Sequence, residues 1–186
     1  MALSDKLGEN PVVAAVKNEE GLEQALASDC TVVFLLCGSI CSVPRLTRRA
    51  AEAGKTVFVH ADLIDGLASR DVSADFLREY TPAHGIISTK PSLIRRAKER
   101  GLGTVQRFFL IDSLALENLC RQLEHTRPEL IEILPGVMPK VLRRVTEITS
   151  IPVIAGGLIR DKEDILAALD AGAAGISSTD PSVWFL

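Results

Sequence analysis

The chain has 186 residues, enough for one domain that buries its own core. Hydrophobic residues make up 47% and charged residues 24%, a globular balance that excludes a disordered chain. A formal charge of −3 and an aromatic content of 4% exclude a binder that relies on overall positive charge or on stacking platforms for bases, and leave room only for a local basic patch.

In chain order, residues 1–10 hold no basic segment followed by an apolar one, so no secretory signal is expected there. The first element is the apolar run Val12–Val16, followed by helical spacing over Glu20–Ala27. The run Val32–Cys37 comes next; with Gly38 and Ser39 behind it, it is too short to span a bilayer. Pro44–Ala53 reads as a helix, Thr56–Asp62 as a strand, and residues 64–72 as a loop leading to a helix at Ala74–Glu79. Strand and helix then alternate: Gly85–Lys90 and Ser92–Arg100, Thr104–Ile111 and Leu114–His125, Leu130–Leu134 and Pro139–Thr149, Val153–Ala155 and Lys162–Ala171. The last strand is Gly175–Ser178, with a short helical end over Asp180–Leu186. Gly54, Gly101 and Gly172 stop helices, while Asp112 and Asp161 cap their starts. Cys30, Cys37, Cys41 and Cys120 are expected to be reduced and mostly buried, because no second close pair joins Cys37 and Cys41 in a metal site.

The strand runs are rich in Val, Ile and Leu, as parallel strands buried on both faces are. Eight of them alternating with helices favour a compact (β/α)8 TIM-type barrel with short helices, spanning 1–186 as one domain. An open doubly wound sheet is the alternative.

In a barrel, ligands meet the C-terminal ends of the strands, and the loops after strands seven and eight frequently hold phosphate. Gly156 and Gly157 end the seventh strand, and Ser177 and Ser178 end the eighth. Backbone amides at glycines can approach an anion closely, a following helix N-terminus favours negative charge, and hydroxyls donate further bonds. These four residues are the candidate phosphate site. Asp62, Lys90, Arg107 and Glu132 stand at or near the ends of four other strands and are candidates for binding a polyol, or for acid–base chemistry. His60 and Asp62, two apart in one strand, are expected on one face. His84 and His125 read as surface residues. Three basic clusters lie on outer helices: Arg45, Arg48 and Arg49; Arg95, Arg96, Lys98 and Arg100; Lys140, Arg143 and Arg144. Each suits a solvated helix face or a footprint for an anionic polymer.

Several blocks resemble one family. They are His60-Ala61-Asp62-Leu63-Ile64-Asp65-Gly66-Leu67, Gly85-Ile86-Ile87-Ser88-Thr89-Lys90, Gln106-Arg107-Phe108-Phe109-Leu110-Ile111-Asp112-Ser113, Glu132 through Lys140 and Ile154 through Ile159, together with Leu36–Arg45. Together they resemble the glycerol-3-phosphate-responsive antiterminators, regulators of glycerol uptake operons. The resemblance implies a bacterial cytoplasmic protein, not an enzyme, with no catalytic residues, cofactor, metal or membrane association. It implies glycerol 3-phosphate as effector and a leader mRNA as partner. Since no one basic cluster is large, a homo-oligomer that joins them is expected, with Arg45, Arg48, Arg49, Arg95 and Arg96 as RNA contacts. The residues alone leave a second reading: a small phosphate-handling barrel enzyme, an isomerase, lyase or phosphodiesterase, with Glu132 or Asp62 as base.

Overall fold

The computed structural model describes residues 3–186. Strands β1 (Val12–Val16), β2 (Val32–Leu35), β3 (Thr56–His60), β4 (Gly85–Ser88), β5 (Gly103–Phe109), β6 (Leu130–Leu134), β7 (Val153–Gly156) and β8 (Gly175–Ser178) each pair in parallel with the next. β8 returns to β1, with Val13 beside Ser177, so the sheet closes into a barrel. The open doubly wound alternative is thereby excluded. The helices are α1 (Leu3–Glu9), α2 (Glu19–Ala27), α3 (Val43–Glu52), α4 (Val72–Tyr80), α5 (Pro91–Glu99), α6 (Ser113–Thr126), α7 (Pro139–Ile148) and α8 (Lys162–Asp170).

Strand alternation divides the core in two. Val13, Ala15, Val32, Phe34, Phe58, Ile87, Val105, Leu130 and Ile154 fill the barrel interior. Their neighbours of opposite parity, such as Ala14, Val33, Val57, Ile86, Ile131 and Ile176, pack outward with the helices. Both faces are buried, which is why the strands read as continuous apolar runs. Phe58 occupies the space left by two glycines: a Cβ on Gly85 would stand 2.1 Å from its ring, and one on Gly103 would stand 2.8 Å away.

Asn18, Asp112 and Asp161 cap α2, α6 and α8 through their side chains, accepting from the amides of Gly21, Ala115 and Asp164. Gly54, Gly101 and Gly172 follow α3, α5 and α8 with φ of 76°, 70° and 94°, the left-handed conformation that a Cβ disfavours. α6 instead ends on Arg127, at φ 44°. The outward Gln106 of β5 ties that helix down, donating to Gln122 Oε1 at 2.8 Å and accepting from Thr126 Oγ1 at 2.7 Å.

Some sequence expectations are corrected. The helix α1 falls where no element was expected. It carries only two buried side chains, Leu3 and Leu7, one turn apart, too weak a pattern to register alone. It closes the lower end of the barrel, beside Gly175 and Thr31. β3 stops at His60, and residues 61–63 form a 3₁₀ turn, so Asp62 does not share a strand face with His60. Of the cysteines only Cys30 is buried, whereas Cys41 and Cys120 are exposed. The chain ends in a 3₁₀ turn over Pro181–Phe185, whose Trp184 donates from Nε1 to the Ser178 carbonyl at 2.8 Å. Among the described residues, no helix is long and apolar enough to cross a membrane.

The packing of α1 leads to a direct expectation. Leu7→Ala empties a fully buried position under the barrel and should cost about 2–5 kcal/mol. Urea unfolding should show a lower midpoint with an unchanged slope. An unchanged midpoint would mean that α1 does not close the core.

Candidate functional site

At the barrel mouth a cleft of about 530 Å³ opens between the ends of β1, β5, β6, β7 and β8. Glu132 stands at its floor, 1% exposed although charged. It accepts from Arg107 Nε at 2.6 Å on one oxygen and from Ser177 Oγ at 2.6 Å on the other. Three strands, β5, β6 and β8, supply these groups by the same inward parity. Gly156 on β7 makes the arrangement sterically possible: a Cβ there would lie 2.6 Å from Glu132 Oε1 and 2.7 Å from Ser177 Oγ. A buried carboxylate stripped of water needs such partners. Among the described residues the Arg107 guanidinium shows no other hydrogen bond, so its terminal nitrogens remain as donors.

Above this floor the β7–α8 loop passes through Gly157 and Leu158, both left-handed, with φ of 77° and 65°. For Leu158 this conformation carries a steric cost, and such cost concentrates where backbone must face a ligand. Lys17 and Arg160 reach the rim from the ends of β1 and of that loop, and both are exposed. Thr179 and Asp180 complete it on the β8 side.

The structure distributes the expected site residues unevenly. Gly157, Ser177, Ser178, Arg107 and Glu132 all line the cleft. Gly156 lies directly behind it. Ser178 spends its hydroxyl internally, donating to the Ile159 carbonyl at 2.8 Å and accepting from the Asp180 amide at 3.1 Å. The expected helix dipole is already engaged, since the first turn of α8 carries Glu163 and Asp164 behind the Asp161 cap.

Asp62 and Lys90 do not line the cleft. Asp62 accepts from Ser88 Oγ, Thr89 N and Thr89 Oγ1 at 2.8–3.0 Å, and so clamps the end of β4. Burial pushes its carboxyl up, but these hydrogen bonds outweigh it and hold the carboxyl below its ordinary range. Lys90 sits at the start of α5. Lys17 and Arg160 were missed. Lys17 was legible in principle, since it follows Ala15 by two residues and extends the inward row of β1; Arg160 lies in a loop that no periodicity orients.

The basic clusters are partly neutralised. Arg45 holds Glu19 through two bonds of 2.9 and 2.7 Å, and Arg49 pairs with Glu23. Arg96 binds Asp75 and Glu99, and Arg100 binds Glu79 at 3.0 Å. Arg48 and Arg95 are exposed. His125 is on the surface as expected; His84 is exposed too, but its Nδ1 accepts from the Val57 amide at 3.2 Å.

A family model described as glycerol-3-phosphate responsive antiterminator matches residues 12–184. The chain belongs to that family. A protein described as uncharacterized protein YgcP of Escherichia coli K12 is 42% identical over 186 residues, all of this chain and 97% of its own. The crystal structure of a glycerol uptake operon antiterminator regulatory protein from Listeria monocytogenes superposes with a TM-score of 0.91 at 33% identity, over 94% of this chain and 95% of that one. A glycerol uptake operon antiterminator-related protein from Thermotoga maritima gives 0.81 at 31% identity, over 93% and 96%.

His60 generates a prediction. It is 2% exposed, and its Nδ1 has no hydrogen-bond partner. Burial, reinforced by the Arg107 charge and opposed by Asp62, lowers its imidazole from 6.5 to about 4. The unfolded imidazole takes up a proton below 6.5, whereas the folded one stays neutral until about 4. Stability is therefore complete at neutral pH and falls through this window, by about 2 kcal/mol at pH 5. Urea unfolding of wild type and His60→Gln at pH 7.5 and 5.0 should show a smaller acid loss in the variant. Equal losses would remove His60 from the effect.

Proposed function

We propose that the chain is a ligand-gated antiterminator that senses glycerol 3-phosphate at the mouth cleft and acts on a leader mRNA. The observation that carries the reading is the convergence of two cations, Lys17 and Arg160, with the left-handed Gly157–Leu158 loop on one cleft, in a chain of this family. Cations and free backbone amides together suit a phosphate. In this reading the phosphate rests against the Gly157–Leu158 amides, Lys17 and Arg160. The glycerol hydroxyls face Arg107 and Ser177, and Glu132 orders both of those groups. Gly156 contributes by leaving room for the Glu132–Ser177 bond.

The polar groups favour sensing over catalysis. A general base needs a free oxygen and a pKa near the working pH. Glu132 engages each oxygen at 2.6 Å. Asp62 accepts three hydrogen bonds away from the cleft. Asp180 is held below its ordinary range, chiefly by hydrogen bonds from Ser182. All three serve better as fixed acceptors than as proton carriers.

The test is calorimetry with glycerol 3-phosphate, glycerol and inorganic phosphate, followed by product analysis after long incubation with glycerol 3-phosphate. Trp184, hydrogen-bonded to the β8 end, offers a fluorescence readout of the same event. Binding of glycerol 3-phosphate tighter than either fragment, without turnover, is expected. Lys17→Ala and Arg160→Ala should each weaken it about tenfold, near the lower end of the roughly 1.5–3 kcal/mol for hydrogen bonds to charged groups, because both side chains are exposed. Turnover would establish an enzyme instead, and equal affinity for glycerol and glycerol 3-phosphate would refute a phosphate site. Readthrough of a leader terminator in purified transcription should rise with protein and glycerol 3-phosphate together.

A further inference from the structure

We propose that the leader RNA backbone is contacted through the groove between α5 and α6, with Arg95, Lys98 and Arg127 as its phosphate ligands. The inference rests on the antiterminator reading and names the surface that reading leaves unassigned. The groove has a volume of about 300 Å³ and is lined by Arg95, Lys98, Glu99, His125, Thr126 and Arg127. Three permanent cations converge there from two helices. The one lining carboxylate, Glu99, is engaged by Arg96 at 3.1 Å. Glu129 lies beyond Arg127 and is directed toward Gly103. The net field of the groove is positive, the condition for holding phosphates in a chain whose total charge is negative.

Two other features distinguish this surface, the first from the ion-paired clusters on the neighbouring helices and the second from every other helix end that the chain closes in the left-handed conformation. First, the clusters on α2–α3 and α4–α5 hold much of their charge in ion pairs between neighbouring helices, with Arg45 and Arg49 on Glu19 and Glu23, and Arg96 and Arg100 on Asp75 and Glu79. Arg95 shows no such pair among the described residues, and Lys98 donates only to the Arg127 carbonyl, at 2.8 Å. Second, Arg127 occupies the left-handed position that closes α6, at φ 44°. The chain places glycine at this position after α3, α5 and α8. A glycine would carry no Cβ penalty there, so the arginine forgoes backbone ease and places a guanidinium at the groove. The surface also faces away from the effector cleft yet is tied to it. Arg107 points into the cleft, and its chain neighbour Gln106 holds Gln122 and Thr126, the latter adjacent to Arg127.

Arg127→Gly separates binding from folding, because it removes the charge while relaxing the backbone. The probe is a labelled transcript of a glycerol-operon leader with its terminator hairpin, titrated across a salt series with glycerol 3-phosphate at saturation. The variant should keep or raise the thermal midpoint of the protein. Its RNA affinity should fall several-fold, and the slope of log affinity against log salt should lose about one unit; the double variant Arg95→Ala with Arg127→Gly should lose about two. Unchanged affinity and slope in both variants would overturn the assignment, as would a loss seen instead in Arg144→Ala on α7. A wild-type protein that binds no leader RNA under these conditions would overturn the antiterminator reading itself, a result distinct from variants that bind the RNA as tightly as a binding-competent wild type.

Discussion

The structure turns on one buried carboxylate. Glu132 sits inside the upper barrel with almost no solvent contact, and a charge so placed is tolerable only when partners satisfy it. Arg107 from β5 and Ser177 from β8 do so, one on each oxygen, and Gly156 of β7, which has no side chain, leaves room for the Glu132–Ser177 bond. Four strands are thus locked in register by a single ion-centred network. The same network shapes the cleft, because it turns the terminal nitrogens of Arg107 away from the carboxylate. Removing either member of the Arg107–Glu132 pair would leave the other charge buried and alone, a penalty of about 3–5 kcal/mol.

Around that floor, polar groups divide into those that hold the scaffold and those that remain available. Ser178, Asp62, Gln106 and Asp161 are spent on loop closure, strand ends and helix caps. Lys17, Arg160, the Gly157–Leu158 backbone and the free end of Arg107 are not. The division matters because residue type alone does not reveal it. Ser177 and Ser178 are neighbours with the same hydroxyl, yet strand alternation turns one to the Glu132 carboxylate and the other to the Ile159 carbonyl. The same logic separates the arginines of the surface: inter-helix carboxylates consume Arg45, Arg49, Arg96 and Arg100 and spare Arg95.

Much of the architecture was legible in the chain itself. Runs such as Val32–Leu35 and Ile86–Ile87 are apolar at every position because both faces of a barrel strand are covered, and the caps Asp112 and Asp161 act locally. The helix α1 was not legible, since two leucines over seven residues carry too little periodicity and its order comes from plugging the barrel. The site was half legible. Glycine and serine at the ends of β7 and β8, and charged residues in β5 and β6, mark the mouth by position. Asp62 and Lys90 have the same appearance in sequence, but the strand ends before they can join the row.

The sequence by itself determined the alternation of strands and helices, the resemblance to one family, and the positions of Arg107, Glu132 and Ser177 in or at the ends of strands. These are local or periodic properties, written in the spacing of side chains along one element. Only the tertiary structure decided that β8 closes on β1, that Lys17 and Arg160 line one cleft with Gly157, and which arginines keep an unpaired charge. Each of those depends on groups far apart in the chain, brought together by barrel closure and by the packing of one helix on the next, where no short-range pattern records the outcome.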